Sequence, residues 1–396
     1  MAARIVIAAA ETRSFRRAVL VLRQVGDALV SAKTVERVVH DVGRELAERR
    51  DLDPKSDDAL AKRPAEPPPL AVVECDGGRI RCRQPGQGPG VHLEGTGWRE
   101  NKNACLIRAT HQTFDHDPQP EPPACFLDPR HVAQLAETAA PPVAATEPRD
   151  DPRSDDEAPS LPDEPADWRP QRLVRTVLSS LADPRAFGRQ MQREARRRRF
   201  DEAQAKVYLG DGLPWNWSIW KTHFGDYTPI LDFIHALSYL FATARAVHAA
   251  AEDAWAQYEA WMRGAWRGEI EQVLEELSAW QTRLGLPPEA AGEDDPRRVL
   301  ASTIGYLTNN RRRMDYAEYR RQGLPVTTAW MESLVKEINY RVKGTEMFWN
   351  DPEGAEAILQ VRAAALSDDD RLVQHLRTRP GSPFTRQPKP RQLSAK

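Results

Sequence analysis

Cysteine is scarce in this chain of 396 residues, with four in all. Cys75, Cys82, Cys105 and Cys125 make no C-x-x-C pair and stand at no zinc-finger spacing from histidine. A structural zinc module is thereby excluded, and reduced, mostly buried thiols are expected. Long apolar runs are missing as well, so no membrane span is expected. The opening "MAARIVIAAAETR" lacks both the basic start and the long apolar centre of a secretory signal. A cytoplasmic protein is the expectation. Net charge is nearly absent, formally −2, so the total gives no ground for a nucleic-acid partner and only its distribution can argue for one. No internal repeat is visible.

Proline, by contrast, is abundant at 32 residues, and with a mean hydropathy of −0.63 it implies that part of the chain stays unpacked. The length allows two or three domains and a sizeable core. Acid collects in "EPRDDPRSDDEAPSLPDEPAD" (147–167), while base collects in "REARRRRF" (193–200) and in a tail with no acid after Asp370. The two signs cancel in the total and not in space.

Residues 14–50 place apolar side chains at three- and four-residue spacing on both sides of Gly26-Asp27, which predicts two helices joined by a short turn. Ser14 and Ser31 are placed to cap them, and the second helix then exposes Lys33, Thr34 and Arg37 near its start. That order matches a helix-turn-helix, whose second helix offers its first turns to base edges. A pair of helices that merely supports the rest of the fold fits the same pattern.

After the Pro-rich joint "KRPAEPPPL" (62–70), short strands are expected in "LAVVEC", "RIRCR" and "NACLIRAT", then a helix in "DPRHVAQLAETA". The acidic, Pro-rich stretch reads as a solvated insert. "AKVYLGDG" is a further strand, "TPILDFIHALSYLFATARAV" a short strand passing into a helix, and the remainder is almost wholly helical.

Two apolar strands therefore each end on an aspartate followed by glycine, Asp76 in "VVECDGGRIRCR" and Asp211 in "YLGDG". Asp-Gly-Gly between "VVEC" and "RIRCR" also reads as a hairpin turn, because glycine tolerates the positive φ that tight turns demand. Strand-end carboxylates are equally what a two-metal site uses, since Mg²⁺ takes hard oxygen ligands and a metal pair drives phosphoryl transfer. A third ligand is then expected from a helix. Glu332 in "TTAWMESLVKEINYRVKG" lies at the margin of the face formed by Met331, Leu334, Val335, Ile338 and Val342, with Glu337 as the competing, more solvated acid. His223, His235 and the set Trp215, Trp217 and Trp220 fit core packing as well as a site. The run Arg311, Arg312 and Arg313 fits a solvated face as well as phosphate contact. Lys336, Arg341 and Lys343 share or follow the Glu332 helix and are candidates to line a DNA path.

The ordered series "VSAKTVERVVHDVGRELAERR", "VVECDGGRIRCR", "GTGWRENKNACLI", "YLGDGLPWNW", "ILDFIHALSYLFATA", "NNRRRMDYAEYRRQGLPVTTAWMESLVKEINYRVKGTEMFW" and "AEAILQVRAA" resembles the DDE transposases of bacterial insertion sequences, the ISKra group. The resemblance implies an α/β, RNase H-like catalytic domain with a helical insertion behind an N-terminal helix-turn-helix. It also implies two Mg²⁺ or Mn²⁺ ions held by Asp76, a middle acid and Glu332. Asp211 and Asp232 both match the middle position, with His235 one turn beyond Asp232, and Asp211 is preferred because that fold sets its second ligand at the strand end. The implied activity is strand cleavage and strand transfer, with transposon ends and target DNA as partners and a homo-oligomer acting on them. Where the family has Gly-Ser-Gly and Ser-Gly-Met, this chain has Thr327-Thr328-Ala329 and Thr345-Glu346-Met347. These departures leave a catalytically inactive or repurposed DNA-binding relative, or an RNase H-like nuclease that does not transpose, as alternatives. The implied division is 1–60 helix-turn-helix, 61–247 first part of the core with an insert at about 140–170, 248–318 helical insertion, 319–366 catalytic helix region and 367–396 basic flexible tail.

Overall fold

The structure, a computed structural model, describes residues 1–52, 65–83, 97–138, 168–343 and 348–379. The acidic stretch 147–167, residues 62–64 of the joint at 62–70, the triplet 345–347 and the chain after 379 lie outside them.

The chain opens with α1 (Ala2–Glu11), α2 (Phe15–Gly26) and α3 (Ala32–Leu52). Ser14 Oγ accepts the Arg17 N–H at 3.2 Å and Ser31 Oγ accepts that of Thr34 at 3.1 Å, each satisfying an amide that the first helical turn leaves open. Between α2 and α3, Asp27 takes the left-handed conformation at φ 47°, which aspartate tolerates better than most residues. α1 is buried along Ile5, Val6 and Ala8 to Ala10.

β1 (Leu70–Arg81) and β2 (Trp98–Ala109) pair antiparallel in one unbroken register, from Leu70 opposite Ala109 to Arg81 opposite Trp98. The hairpin reading of Asp-Gly-Gly is therefore corrected. Both glycines sit inside the strand, outside the left-handed region, and the chain reverses only after residue 83. α4 (Pro129–Thr138), β3 (Arg172–Ser180), α5 (Pro184–Arg197), β4 (Ala205–Gly210), α6 (Pro214–His223), β5 (Thr228–Leu231) and α7 (Phe233–Val247) follow. The sheet order is β3-β2-β1-β4-β5, with β3 and β1 antiparallel to β2 and with β4 and β5 running parallel to β1. This mixed α/β arrangement is compatible with an RNase H-like fold.

Burial on both faces makes "LAVVEC" a continuous apolar run. Leu70, Val72, Val207 and Leu209 join the large helical core on one face. Ala71, Val73, Cys75 and Tyr208 pack with Phe187, Met191 and Ile219 of α5 and α6 on the other.

Beyond α7 the chain is helical: α8 (Ala251–Trp266), α9 (Ile270–Leu284), α10 (Pro296–Asn310), α11 (Tyr316–Arg321), α12 (Ala329–Val342), α13 (Pro352–Ala365) and α14 (Arg371–Thr378). α8 and α10 lean on α7, while α12 lies across β1 and β2. The expected flexible tail is corrected for residues 367–379, the rest lying outside the described residues. Leu372, His375 and Leu376 of α14 are buried, and Asp369 joins Arg198 and Arg371 in an ion network centred on buried Glu194. Two of the five arginines in the run 193–200, Arg197 and Arg198, are spent in that network, both on Glu194, while Arg199 pairs with Glu202. Among the described residues no helix is long and apolar enough to cross a membrane, and the four cysteines are free thiols, three of them buried.

A candidate carboxylate site at the ends of parallel strands

The parallel register of β1 and β4 closes at Cys75 opposite Gly210, so Asp76 and Asp211 are the next residues on neighbouring strands. Alternation puts both on the face that carries Leu70, Val72, Val207 and Leu209. β5 ends beside them, and the Asp232 amide donates to the Gly210 carbonyl at 3.0 Å.

Asp211 is held from below. Its Oδ1 accepts the Leu213 N–H at 2.9 Å and Asn216 Nδ2 at 2.8 Å, and the same Nδ2 donates to the Cys75 carbonyl at 3.1 Å. Asn216 is fully buried and its Oδ1 accepts the Tyr208 hydroxyl at 3.0 Å, so one amide ties together the two strand ends that carry the acids. From the far side, the Tyr306 hydroxyl of α10 donates to the Asp211 carbonyl at 2.8 Å, and its ring stacks on Tyr239 at 3.8 Å. Gly212, at φ 93°, accommodates that ring: a Cβ there would lie 2.6 Å from it. The helices between α7 and α12 therefore reach the site directly.

Asp232 is different in kind. It has no exposure, its Oδ1 accepts the Thr328 N–H at 2.8 Å, and its Oδ2 meets His235 Nδ1 at 2.6 Å while capping α7. Both oxygens are committed to protein donors. Burial alone would push the His235 imidazole down, but Asp232, with Asp211 and Asp76 behind it, outweighs burial and raises it to about 9. At neutral pH a cationic imidazole therefore stands among three aspartates. Asp76 is raised too, which for a carboxyl favours the neutral form. Burial, then the Asp211 charge, lift its carboxyl to about 7, against the opposing pull of His235 and the Gly77 amide.

Among the described residues no three His, Cys, Asp or Glu side chains form a group that could hold a metal ion. Asp76 and Asp211 supply two hard-oxygen donors, and the like charge that lifts Asp76 is what a divalent cation would relieve, so the pair fits Mg²⁺ or Mn²⁺. The Glu332 side chain lies outside the described residues. Its helix, α12, buries Met331, Leu334, Ile338 and Val342 and packs on the sheet face that bears the two aspartates. Glu337 pairs with Arg175 at 2.9 Å instead.

The remaining candidates lie elsewhere. Lys33, Thr34 and Arg37 line a cavity of about 420 Å³ together with Phe15, His40 and Trp349, and Trp349 pairs with the far end of β1 through Arg81. Five residue steps of strand, about 17 Å, separate Arg81 from Asp76. Lys336 and Lys343 are exposed. Arg341 is not, and its place among DNA-lining residues is corrected. It is 1% exposed, its Nε donates to the Ala9 carbonyl, and its guanidinium lies over Phe15 and Trp349, with burial lowering it to about 10. Trp217 and Trp220 are half-buried and carry Arg313 over their rings, while Lys102 sits over Trp215. His223 packs against Gly188 and meets Gln192 at 3.2 Å. Sequence reasoning passed over Asn216 and Tyr306. Asn216 stands five residues past the strand-end aspartate, a spacing that a helix starting at Pro214 turns into contact.

No protein-family model matches the sequence, and no curated protein matches it. Among solved structures, a Drosophila P element transposase strand transfer complex is similar at a TM-score of 0.36 and 11% identity, over 93% of this chain and 92% of that one. Likeness that slight carries no argument about what this chain does.

Proposed function

We infer that the chain is a DDE-type transposase that performs metal-dependent cleavage and strand transfer at the ends of its own element. The observation that carries the reading is the pair Asp76 and Asp211, brought side by side at the ends of two parallel strands, where burial and then the Asp211 charge raise the Asp76 carboxyl. The motif series quoted above supports it independently. In this reading Asp76, Asp211 and Glu332 hold two Mg²⁺ or Mn²⁺ ions. Asp211 is the middle acid because Asp232 is already bonded through both oxygens. Bound there, the ions would lower the cost of forming the attacking oxyanion from water or a 3′-hydroxyl and would offset charge on the leaving oxygen.

The protein's own groups do the rest. Asn216 and Tyr306 hold Asp211 in place, Asp232 fixes the His235 ring, and the imidazolium sets a positive charge beside a site that must receive phosphate. DNA is the partner, both as element ends and as target, and a homo-oligomer joins two ends.

The test is nicking of supercoiled plasmid carrying the inverted repeats that flank the gene, with and without Mg²⁺. Wild-type protein should nick only with metal, while Asp76→Asn and Asp211→Asn should bind the repeats and leave them uncut. Nicking that survives either substitution overturns the reading. Binding by the wild type without nicking assigns the chain to inactive relatives, and cutting of hybrid or branched substrates without strand transfer assigns it to the nucleases.

A further inference from the structure

The stretch "RENKN" on β2 has no role so far, yet Asn101 and Asn103 are both fully buried beside the acid site. Antiparallel pairing sets Asn103 opposite Asp76 on β1 and opposite Ser179 on β3, so the three side chains share a face. Directly opposed residues hold their Cβ atoms about 4.5–5.5 Å apart. Asn103 Oδ1 accepts Asn101 Nδ2 at 3.1 Å and the Ser179 hydroxyl at 2.7 Å. Gly78 makes this possible. A Cβ there would come within 2.8 Å of Asn101 Oδ1, so glycine lets the Asn101 amide lie flat across β1 toward Asn103.

The other end of the Asn103 amide is left over. Nδ2 is buried without a hydrogen-bond partner, a state that native proteins rarely tolerate outside functional sites. Asp76 in turn spends Oδ1 on the Gly77 amide at 2.6 Å, and its Oδ2 takes no hydrogen bond among the described residues. A spare donor and a spare acceptor thus occupy cross-strand partners.

We propose that Asn103 is a positioning residue for Asp76: rotation of the Asp76 side chain sets Oδ2 on the waiting Nδ2–H and presents Oδ1 to a divalent cation shared with Asp211. Asn101, Ser179 and Gly78 form the frame that keeps the donor in place. The inference rests on the metal-site reading above, and ligating carboxylates of such sites are commonly held by a hydrogen bond of this type.

Mn²⁺ titration followed by electron paramagnetic resonance, on full-length protein without DNA, tests both separately. Asn103→Leu, which keeps the heavy-atom count and branching of asparagine, should weaken Mn²⁺ binding by about 10–100-fold. Ser179→Ala also removes a buried bond from the frame but leaves Nδ2–H in place, and it should lower the melting temperature while changing Mn²⁺ affinity little. Asn103→Ser, which still accepts but is too short to reach Asp76, serves if the leucine variant does not fold. Wild-type affinity in the Asn103 variants, or an equal loss in Ser179→Ala, overturns the inference and leaves the metal site standing. Wild-type protein that binds no Mn²⁺, or binding that Asp76→Asn does not change, overturns the metal site and the inference with it.

Discussion

Asn216→Asp exchanges one nitrogen for one oxygen without altering shape, at the point where both acid-bearing strands are joined. The wild-type Nδ2 donates to the neutral Cys75 carbonyl and to the Asp211 carboxylate. A neutral bond contributes about 1 kcal/mol and one to a charged group about 1.5–3 kcal/mol, so losing both costs about 2.5–4 kcal/mol. The bond from Tyr208 to the retained oxygen survives. The new carboxyl also faces Asp211 at hydrogen-bond distance, where two carboxylates do not both ionise, so its affinity for a proton rises. The folded variant then keeps a proton that the unfolded chain releases near pH 4. Its stability therefore falls as pH climbs above 4 and toward the raised folded value. At pH 5 the protonated group donates one bond again and recovers about 1–2 kcal/mol. Urea unfolding at pH 5 and pH 8, each compared with wild type at the same pH and with Asn216→Ala as an uncharged reference, measures this. A deficit below about 1 kcal/mol at pH 8, or one that does not change with pH, refutes the bridge.

Asp76, lifted to about 7, binds a proton in the metal-free folded protein that the unfolded chain gives up near 4. Metal-free wild type should therefore melt at higher temperature at pH 5 than at pH 8, and Asp76→Asn should flatten that slope. Glu194 shows the reverse sign. Burial would raise it, but Arg371, Arg198 and Arg197 hold it at about 2, so its contribution is full above pH 4.5 and is lost as pH falls toward 2. Glu194→Gln should remove most of that acid-induced loss, roughly 3 kcal/mol at 1.36 per pH unit, as read by circular dichroism on acid titration. Gly43→Ala would drive a Cβ to 2.2 Å from the Ala357 carbonyl oxygen, and the strain of parting α3 from α13 should cost about 1–3 kcal/mol. An unchanged melting temperature would mean that the two helices do not touch there.

Local rules make much of this structure legible in the sequence. Ser14 and Ser31 announced their helices because capping is a three-residue event, and "YLGDG" announced β4 and its terminal aspartate for a similar reason. Asp-Gly-Gly misled because a glycine pair signals a turn unless something across the sheet needs the space. That something is Asn101, which lies 23 residues away in sequence and is visible only once β2 is paired. Arg341 misled for another reason. Helical spacing gives the faces of α12 but not which face α1 covers, and the Ala9 carbonyl that takes its Nε belongs to the other end of the chain. Asn103, Asn216 and Tyr306 were illegible individually, since buried amides and phenols gain meaning only from the groups they meet.

The close seat of α3 on α13 has a mechanical consequence. Gly43 against Ala357, Arg362 on the Ala10 carbonyl and His375 on Glu45 rivet the first fifty residues to the body that carries the aspartates. A DNA-reading element on a flexible tether can search many offsets from its nuclease; on the transposase reading proposed above, one fastened like this would behave as a fixed ruler. Any duplex gripped by Lys33 and Arg37 would then meet Asp76 at a set distance, so cut positions should fall at one offset from the bound sequence without scatter.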